Sequence, residues 1–249
     1  MTDPSSFALD ETAVGSVEQI EEEPRPDYIL PENALISERY QLEKCLGEGG
    51  MGVVYRARHV LMKKTVALKV LHPEFTRNDE VVARFKREAQ AAANIEHPNI
   101  CLATDFGQTD EGLFYLVMEH LEGETLQSTI ETLGKLTPRL TIHIGKQICA
   151  ALAQAHQTGV VHRDLKPENI MLVERDDDQY FVKIMDFGIA RVRMDEEHDN
   201  KTPARLTKAG MVYGTPHYMS PEQVVGGDID SRADLYALGV VLFEMVTGR

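Results

Sequence analysis

Two short stretches concentrate the side chains that could do chemistry: His162-Arg163-Asp164-Leu165-Lys166-Pro167-Glu168-Asn169 and Asp186-Phe187-Gly188. Between them, residues 170 to 173 read as a strand, Asp176-Asp177-Asp178 as a turn, and the residues after it as a second strand that delivers Asp186. Asp164, Asn169 and Asp186 supply carboxylate and carbonyl oxygens, the hard donors that hold magnesium or orient a hydroxyl.

A second constellation lies nearer the N-terminus. Gly47-Glu48-Gly49-Gly50-Met51-Gly52 fits G-x-G-x-x-G, in which missing side chains let backbone N–H groups approach phosphate oxygens. Alone the pattern is weak: it also opens dinucleotide-binding folds, and it also occurs as an ordinary glycine hairpin. A dinucleotide fold requires a helix next, whereas Val53 to Arg58 alternates as a strand does. The loop is therefore expected to fold as a flap over a nucleotide, with Leu46 and Val54 covering the base.

In Val66-Ala67-Leu68-Lys69, alternation puts Ala67 and Lys69 on one face, beneath whatever the glycine loop covers. A lysine among so many apolar neighbours needs a partner, unless it is an edge lysine that blunts aggregation. Glu88 is the candidate: on the helical stretch 80 to 95 it shares the stripe of Phe85, Ala92 and Ile95 instead of the wet face. Most helix glutamates are merely solvated, so the pairing rests on that stripe.

These residues need elements to hold them. Tyr40 to Leu71 is strand-like throughout, Leu113 to Glu119 returns to strand, and after Gly123 the character becomes helical. Thr137-Pro138 reads as a cap followed by proline at the first helical position of a helix running to Gln157. The expected fold class is α+β, a small antiparallel-sheet lobe with one key helix preceding a mainly helical lobe. Residues 1 to 38 hold ten Asp/Glu against the single Arg25, −9 of the −14 net charge, with sparse hydrophobics. They read as a disordered acidic tail before a domain at 39 to 249, divided as 39 to 121 and 122 to 249.

With 249 residues and 43% hydrophobic content the chain can bury a core. Its mildly acidic body lacks the basic face of a nucleic-acid binder. Cys45, Cys101 and Cys149 are far apart, with no zinc-type cluster. The odd count and the absence of a signal-like start point to the cytoplasm, or to a cytoplasm-facing domain if a membrane helix follows residue 249. The longest apolar run, Leu235 to Val246, contains Glu244 and falls short of a membrane span.

Taken in order, the glycine loop, Val-Ala-Leu-Lys, the helix glutamate, the His-Arg-Asp loop, Asp-Phe-Gly and Ser220-Pro221-Glu222 resemble the Hanks-type (eukaryotic-like) serine/threonine protein kinases in their bacterial form. The resemblance runs from about Tyr40 to the end, and includes His97-Pro98-Asn99-Ile100 and Asp234-Leu235-Tyr236-Ala237-Leu238-Gly239. Ser220 stands where Ala is commoner and Tyr236 where many members carry Trp; neither touches the chemistry. The resemblance also implies that helices completing the larger lobe lie beyond Arg249, with an arginine partner for Glu222.

What the resemblance implies for the site is specific. Lys69 is expected on the α/β-phosphates of ATP and paired with Glu88, Asn169 and Asp186 on Mg²⁺ (or Mn²⁺), and Asp164 on the attacking hydroxyl. Lys166 is expected to neutralise the γ-phosphoryl and goes with Ser/Thr substrates. Residues 46 to 54 (Leu46, Gly47, Glu48, Gly49, Gly50, Met51, Gly52, Val53, Val54) should cover the nucleotide. The Glu119 carbonyl and Leu121 main chain should meet the adenine edge, with Ala67 above, Met171 below and Met118 as gatekeeper. Thr207, with Thr202 second, is the expected regulatory phosphate acceptor, and Arg163, Arg191 and Arg84 the expected phosphate pocket. The implied partners are protein substrates and a second copy for trans-autophosphorylation. The rival readings are a kinase-like scaffold or pseudokinase without phosphoryl transfer, and a small-molecule phosphotransferase. The intact set Gly49, Lys69, Asp164, Asn169 and Asp186 argues against the first, and Gly214-Thr215-Pro216 before Ser220 against the second.

Overall fold

A computed structural model describes residues 30–49, 52–187 and 216–249. Its first unit is a six-stranded antiparallel sheet in the order β1-β2-β3-β4-β6-β5. The strands are β1 (Leu35–Ile36), β2 (Tyr40–Gly49), β3 (Gly52–His59), β4 (Lys64–Leu71), β5 (Ala103–Gln108) and β6 (Phe114–Glu119), with helices α1 (Pro73–Thr76) and α2 (Asp79–Ala93) between β4 and β5. Strand alternation sorts the side chains onto two faces. Val53, Tyr55, Leu68, Val70, Tyr115 and Val117 form a core on one face. On the other, Leu71, Phe114 and Leu116 receive Val82, Phe85 and Ala89 of α2. Of the stripe expected for that helix, Phe85 lies here, the Ala92 side chain lies outside the described residues, and Ile95 falls past the end of α2 and packs in the core of the second unit.

The tail expected to run to residue 38 is in fact folded from Leu30 onward. Leu30 N–H donates to the Tyr55 hydroxyl at 2.8 Å, Leu30 and Ala34 pack on the outer core, and Leu35 and Ile36 pair with Gln41 and Tyr40. The few apolar side chains of this acidic stretch land on an apolar sheet face, which composition could not reveal.

The second unit contains β7 (Gly123–Thr125), α3 (Leu126–Leu133), α4 (Pro138–Gln157), β8 (Ile170–Arg175), β9 (Asp178–Ile184), α5 (Pro221–Val225) and α6 (Arg232–Thr247). Thr125 and Thr137 cap α3 and α4, accepting the N–H of Ser128 at 3.1 Å and of Leu140 at 3.3 Å. Helix α4 lies at the centre: Ile144, Ile148, Ala151, Leu152 and Ala155 pack with Leu165, Val182, Val241 and Met245. One side of α6 (Ala233, Ala237, Leu238, Val241, Met245) is buried, while Leu235, Tyr236 and Phe243 are exposed. This unit also carries a small sheet, β7-β8-β9, that presents the chemical residues. Among the described residues no helix is long and apolar enough to cross a membrane.

Candidate active site

The β8-β9 hairpin and the loop before it bring the two chemical stretches together. Asn169 N–H follows Lys166 in a single 3₁₀ turn, donating to the Lys166 carbonyl at 3.0 Å, and Met185 N–H donates to the Asn169 carbonyl at 2.9 Å. Asn169 Nδ2 donates to the Asp164 carbonyl at 2.8 Å and to Asp164 Oδ2 at 3.2 Å; Lys166 Nζ lies 3.4 Å from the same Oδ2. Asp164 is thus held at one oxygen, and among the described residues its Oδ1 has no hydrogen bond.

The loop is held from behind by α6. Asp234, wholly buried in the first turn of that helix, accepts the N–H of His162 and of Arg163 at 2.8 Å each, and His156 Nε2 at 2.7 Å. Gln223 of α5 donates to the Arg163 carbonyl at 2.7 Å. These bonds hold Arg163 at φ 66°, a backbone state that non-glycine residues rarely adopt. His162 accepts the Asp164 N–H at Nδ1 (3.3 Å) and donates from Nε2 to the Met185 carbonyl (2.9 Å), so its ring ties the loop of Asp164 to the residue before Asp186. Phe187 packs edge-on against it, ring centroids 4.7 Å apart.

Facing this from the small lobe is Lys69. Its Nζ is 2.9 Å from Asp186 Oδ1, a contact that spans the cleft. Burial alone would raise the Asp186 carboxyl, but the charge and hydrogen bond of the Lys69 ammonium outweigh it and hold the group below the ordinary aspartate value. Asp186 itself sits at φ 53°. The expected Lys69–Glu88 pair is not placed: the Glu88 and Arg84 side chains lie outside the described residues, although both positions fall on α2.

Register builds the roof of the cleft. Val54, Lys69 and Leu116 form one rung, and Ala67 and Met118 share the next on the same face. Leu46 is exposed, and Gly47 pairs with Val54 and Gly49 with Gly52. Gly52 has a packing reason: a Cβ there would stand 2.1 Å from the Val70 carbonyl oxygen. Gly50, Met51, Arg191, Thr202 and Thr207 lie outside the described residues. Glu119 ends β6 at the junction of the lobes, Leu121 follows half-buried, and Met171 on β8 lies below, paired with Thr125 on one side and Lys183 on the other.

The family model for the protein kinase domain matches residues 40–249. The chain belongs to the protein kinase family. Among curated relatives of this kinase domain, Pkn3 of Myxococcus xanthus, a serine/threonine-protein kinase, is 46% identical over 213 residues, covering 86% of this chain and 38% of that protein. PrkC of Bacillus subtilis is 42% identical, covering 86% and 31%, and PknB of Mycobacterium tuberculosis 41%, covering 86% and 33%; both carry the same description. The chain therefore spans about a third of the length of the curated relatives it matches. The crystal structure of the M. tuberculosis PknI kinase domain superposes with a TM-score of 0.69 at 29% identity, covering 88% of this chain and 76% of that one. The bilobal kinase fold expected from the motifs is the fold found.

A divalent cation fits the kinase site's donors. Asp186 is kept ionised by Lys69, and Asn169, having turned its amide nitrogen to Asp164, has its carbonyl oxygen left to offer. No group of three or more His, Cys, Asp or Glu that could cage a metal occurs among the described residues. Sequence reasoning named Asp234 only as part of a motif and missed His156, Gln223, Lys183 and the Glu119 side chain. For Asp234 the sequence shows only an acid at the head of a helix apolar on most sides, which is either exposed or paired, and names no partner.

Proposed function

We propose that this chain is the catalytic domain of an ATP-dependent protein kinase that transfers the γ-phosphate to Ser or Thr hydroxyls of protein substrates. The observation that carries the reading is the Lys69–Asp186 contact across the cleft, beside the cluster of Asp164, Lys166 and Asn169. Three relatives described as serine/threonine-protein kinases, each over 40% identical, support the same choice of substrate hydroxyl. ATP would lie under the glycine loop, its adenine against the Glu119 and Leu121 main chain between Ala67 and Met171. Asp164 offers Oδ1 to orient the acceptor hydroxyl and take its proton, while Oδ2 stays tied to Asn169 and Lys166. Lys166 neutralises charge on the transferring group, and Lys69 reaches the α/β-phosphates. Mg²⁺ or Mn²⁺ would be held by Asn169 and Asp186 and would supply charge neutralisation on the phosphates.

The reading places the domain in the cytoplasm and makes it subject to control by phosphorylation at Thr207, or secondarily Thr202. Arg163, Arg191 and Arg84 would receive the phosphate, which a second copy of the chain could deliver. The test is radiolabelled transfer from ATP to a generic protein substrate, with phosphoamino-acid analysis and phosphopeptide mapping. Label on Ser or Thr that is lost in Asp164→Asn, with Thr207 among the modified residues, is the expected result. Phosphotyrosine alone, or undiminished transfer by the Asn variant, would refute it.

A further inference from the structure

The small lobe is fastened to the large one at Glu119. The loop before β5 belongs mechanically to the large lobe: Ile100 lies in its core, Cys101 N–H donates to the Ile184 carbonyl and Ile184 N–H to the Asn99 carbonyl, both at 2.8 Å. Glu119 grips this loop with main chain and side chain together. Its N–H donates to the Leu102 carbonyl at 3.0 Å, and its Oε1 accepts the Leu102 N–H at 2.8 Å and Lys183 Nζ at 2.6 Å. Lys183, only 13% exposed, donates also to the Ile100 carbonyl at 3.4 Å. It stands on β9 opposite Met171 and three residues before Asp186.

We infer that Lys183 is a positioning residue for nucleotide binding: by holding the Glu119 carboxylate it fixes the hinge main chain in register with the strand that carries Asp186. The inference rests on the kinase reading, in which the Glu119 carbonyl and Leu121 meet the adenine while Lys69 and Asp186 serve the phosphate end. A nucleotide spans both anchors, so receptors already in register bind it without having to be ordered during binding. Lys183 is largely withdrawn from water and shares its carboxylate with a backbone donor, so the pair escapes most of the screening that weakens surface ion pairs. Without it the carboxylate keeps, among the described residues, only the Leu102 N–H, and the lobes gain freedom that nucleotide binding must then remove.

The test is calorimetric titration of the whole protein with MgADP, which needs no turnover, for wild type, Lys183→Met, Lys183→Arg, Glu119→Gln and the Lys183→Met/Glu119→Gln double variant. Lys183→Met should weaken binding about tenfold, Lys183→Arg should stay within about twofold of wild type, and the double variant should bind about as weakly as Lys183→Met alone. Melting temperatures without nucleotide report any purely structural role. Wild-type binding with Lys183→Met unchanged, whatever its melting temperature, would overturn the inference alone, as would tighter binding by Lys183→Met. Absence of MgADP binding by the wild type would overturn the kinase reading and the inference with it. Should Lys183→Met fail to fold, Glu119→Gln, which keeps the main chain and removes the charge, must show the same loss, and its failure to do so overturns the inference equally.

Discussion

Asp234 offers the sharpest test of how the loop carrying Asp164 is held. The carboxylate is wholly buried and accepts three donors: two backbone N–H groups at 2.8 Å and the His156 imidazole at 2.7 Å. In Asp234→Ala both backbone donors lose their acceptor inside the protein, and each such loss costs about 1–3 kcal/mol. His156 is 18% exposed and can turn toward water, so its share is smaller. The sum is about 3–5 kcal/mol, or a fall of roughly 10 °C in melting temperature for a domain of this size. Asp234→Asn separates bonding from space filling, because it keeps the shape and one acceptor oxygen but points an amide N–H₂ at the remaining donors. It should recover no more than about half of the alanine loss. Urea unfolding followed by circular dichroism gives the free energies. Hydrogen exchange at the His162 and Arg163 amides locates the effect and should accelerate about a hundredfold if roughly 3 kcal/mol of local protection is lost. An Asn variant within about 0.5 kcal/mol of wild type, with both amides still protected, would show that Asp234 fills space and does not hold the loop.

Two further outcomes rest on titratable groups. The Cys101 thiol is buried, and desolvation, with the nearby Glu119 charge, pushes it up to about 12. At pH 8 its thiolate fraction is about a thousandfold below that of an ordinary thiol near 8.5, so iodoacetamide should modify the exposed Cys149 and spare Cys101; mass spectrometry showing the two modified at similar rates would contradict this. His97 is lowered from its ordinary value by burial and by Lys183, and its Nδ1 accepts the Asn99 N–H at 3.1 Å, which favours the unprotonated ring. Its contribution to stability is therefore present above the unfolded value near 6.5 and is lost as pH falls through the lower folded value. His97→Asn should flatten the decline in unfolding free energy below about pH 6.5, and an unchanged slope would exclude His97 as a source of it.

The parts of the site that could be read from sequence are those in which chemistry and spacing are local. Asp164, Lys166 and Asn169 lie within six residues, and a single turn brings them together whatever the rest of the fold does. The strand alternation that put Ala67 and Lys69 on one face needed only the period of a strand, and the observed rungs keep it. The contacts between distant elements were not legible. Nothing local indicates that Asp234 faces two amide groups seventy residues earlier in the chain, since an acid in the first turn of a helix is equally well explained by the helix dipole. The Lys183–Glu119 bond depends on where the loop before β5 packs, which neither strand determines alone.

The N-terminal boundary shows the same limit from the side of composition. Pro31, Glu32 and Glu38 make residues 30 to 38 look like the acidic stretch before them, and on average they are. Order there depends on Leu30, Ala34 and Ile36, which meet the far face of the sheet, together with one hydrogen bond to Tyr55. That face exists because β2 and β3 carry Tyr40, Leu42, Val53 and Tyr55 on alternate positions, leaving an apolar surface that must be covered. The pattern of those two strands already demanded a cover, and the segment nearest in sequence supplied it. A boundary is better sought by asking what covers an apolar face than by averaging the residues outside it.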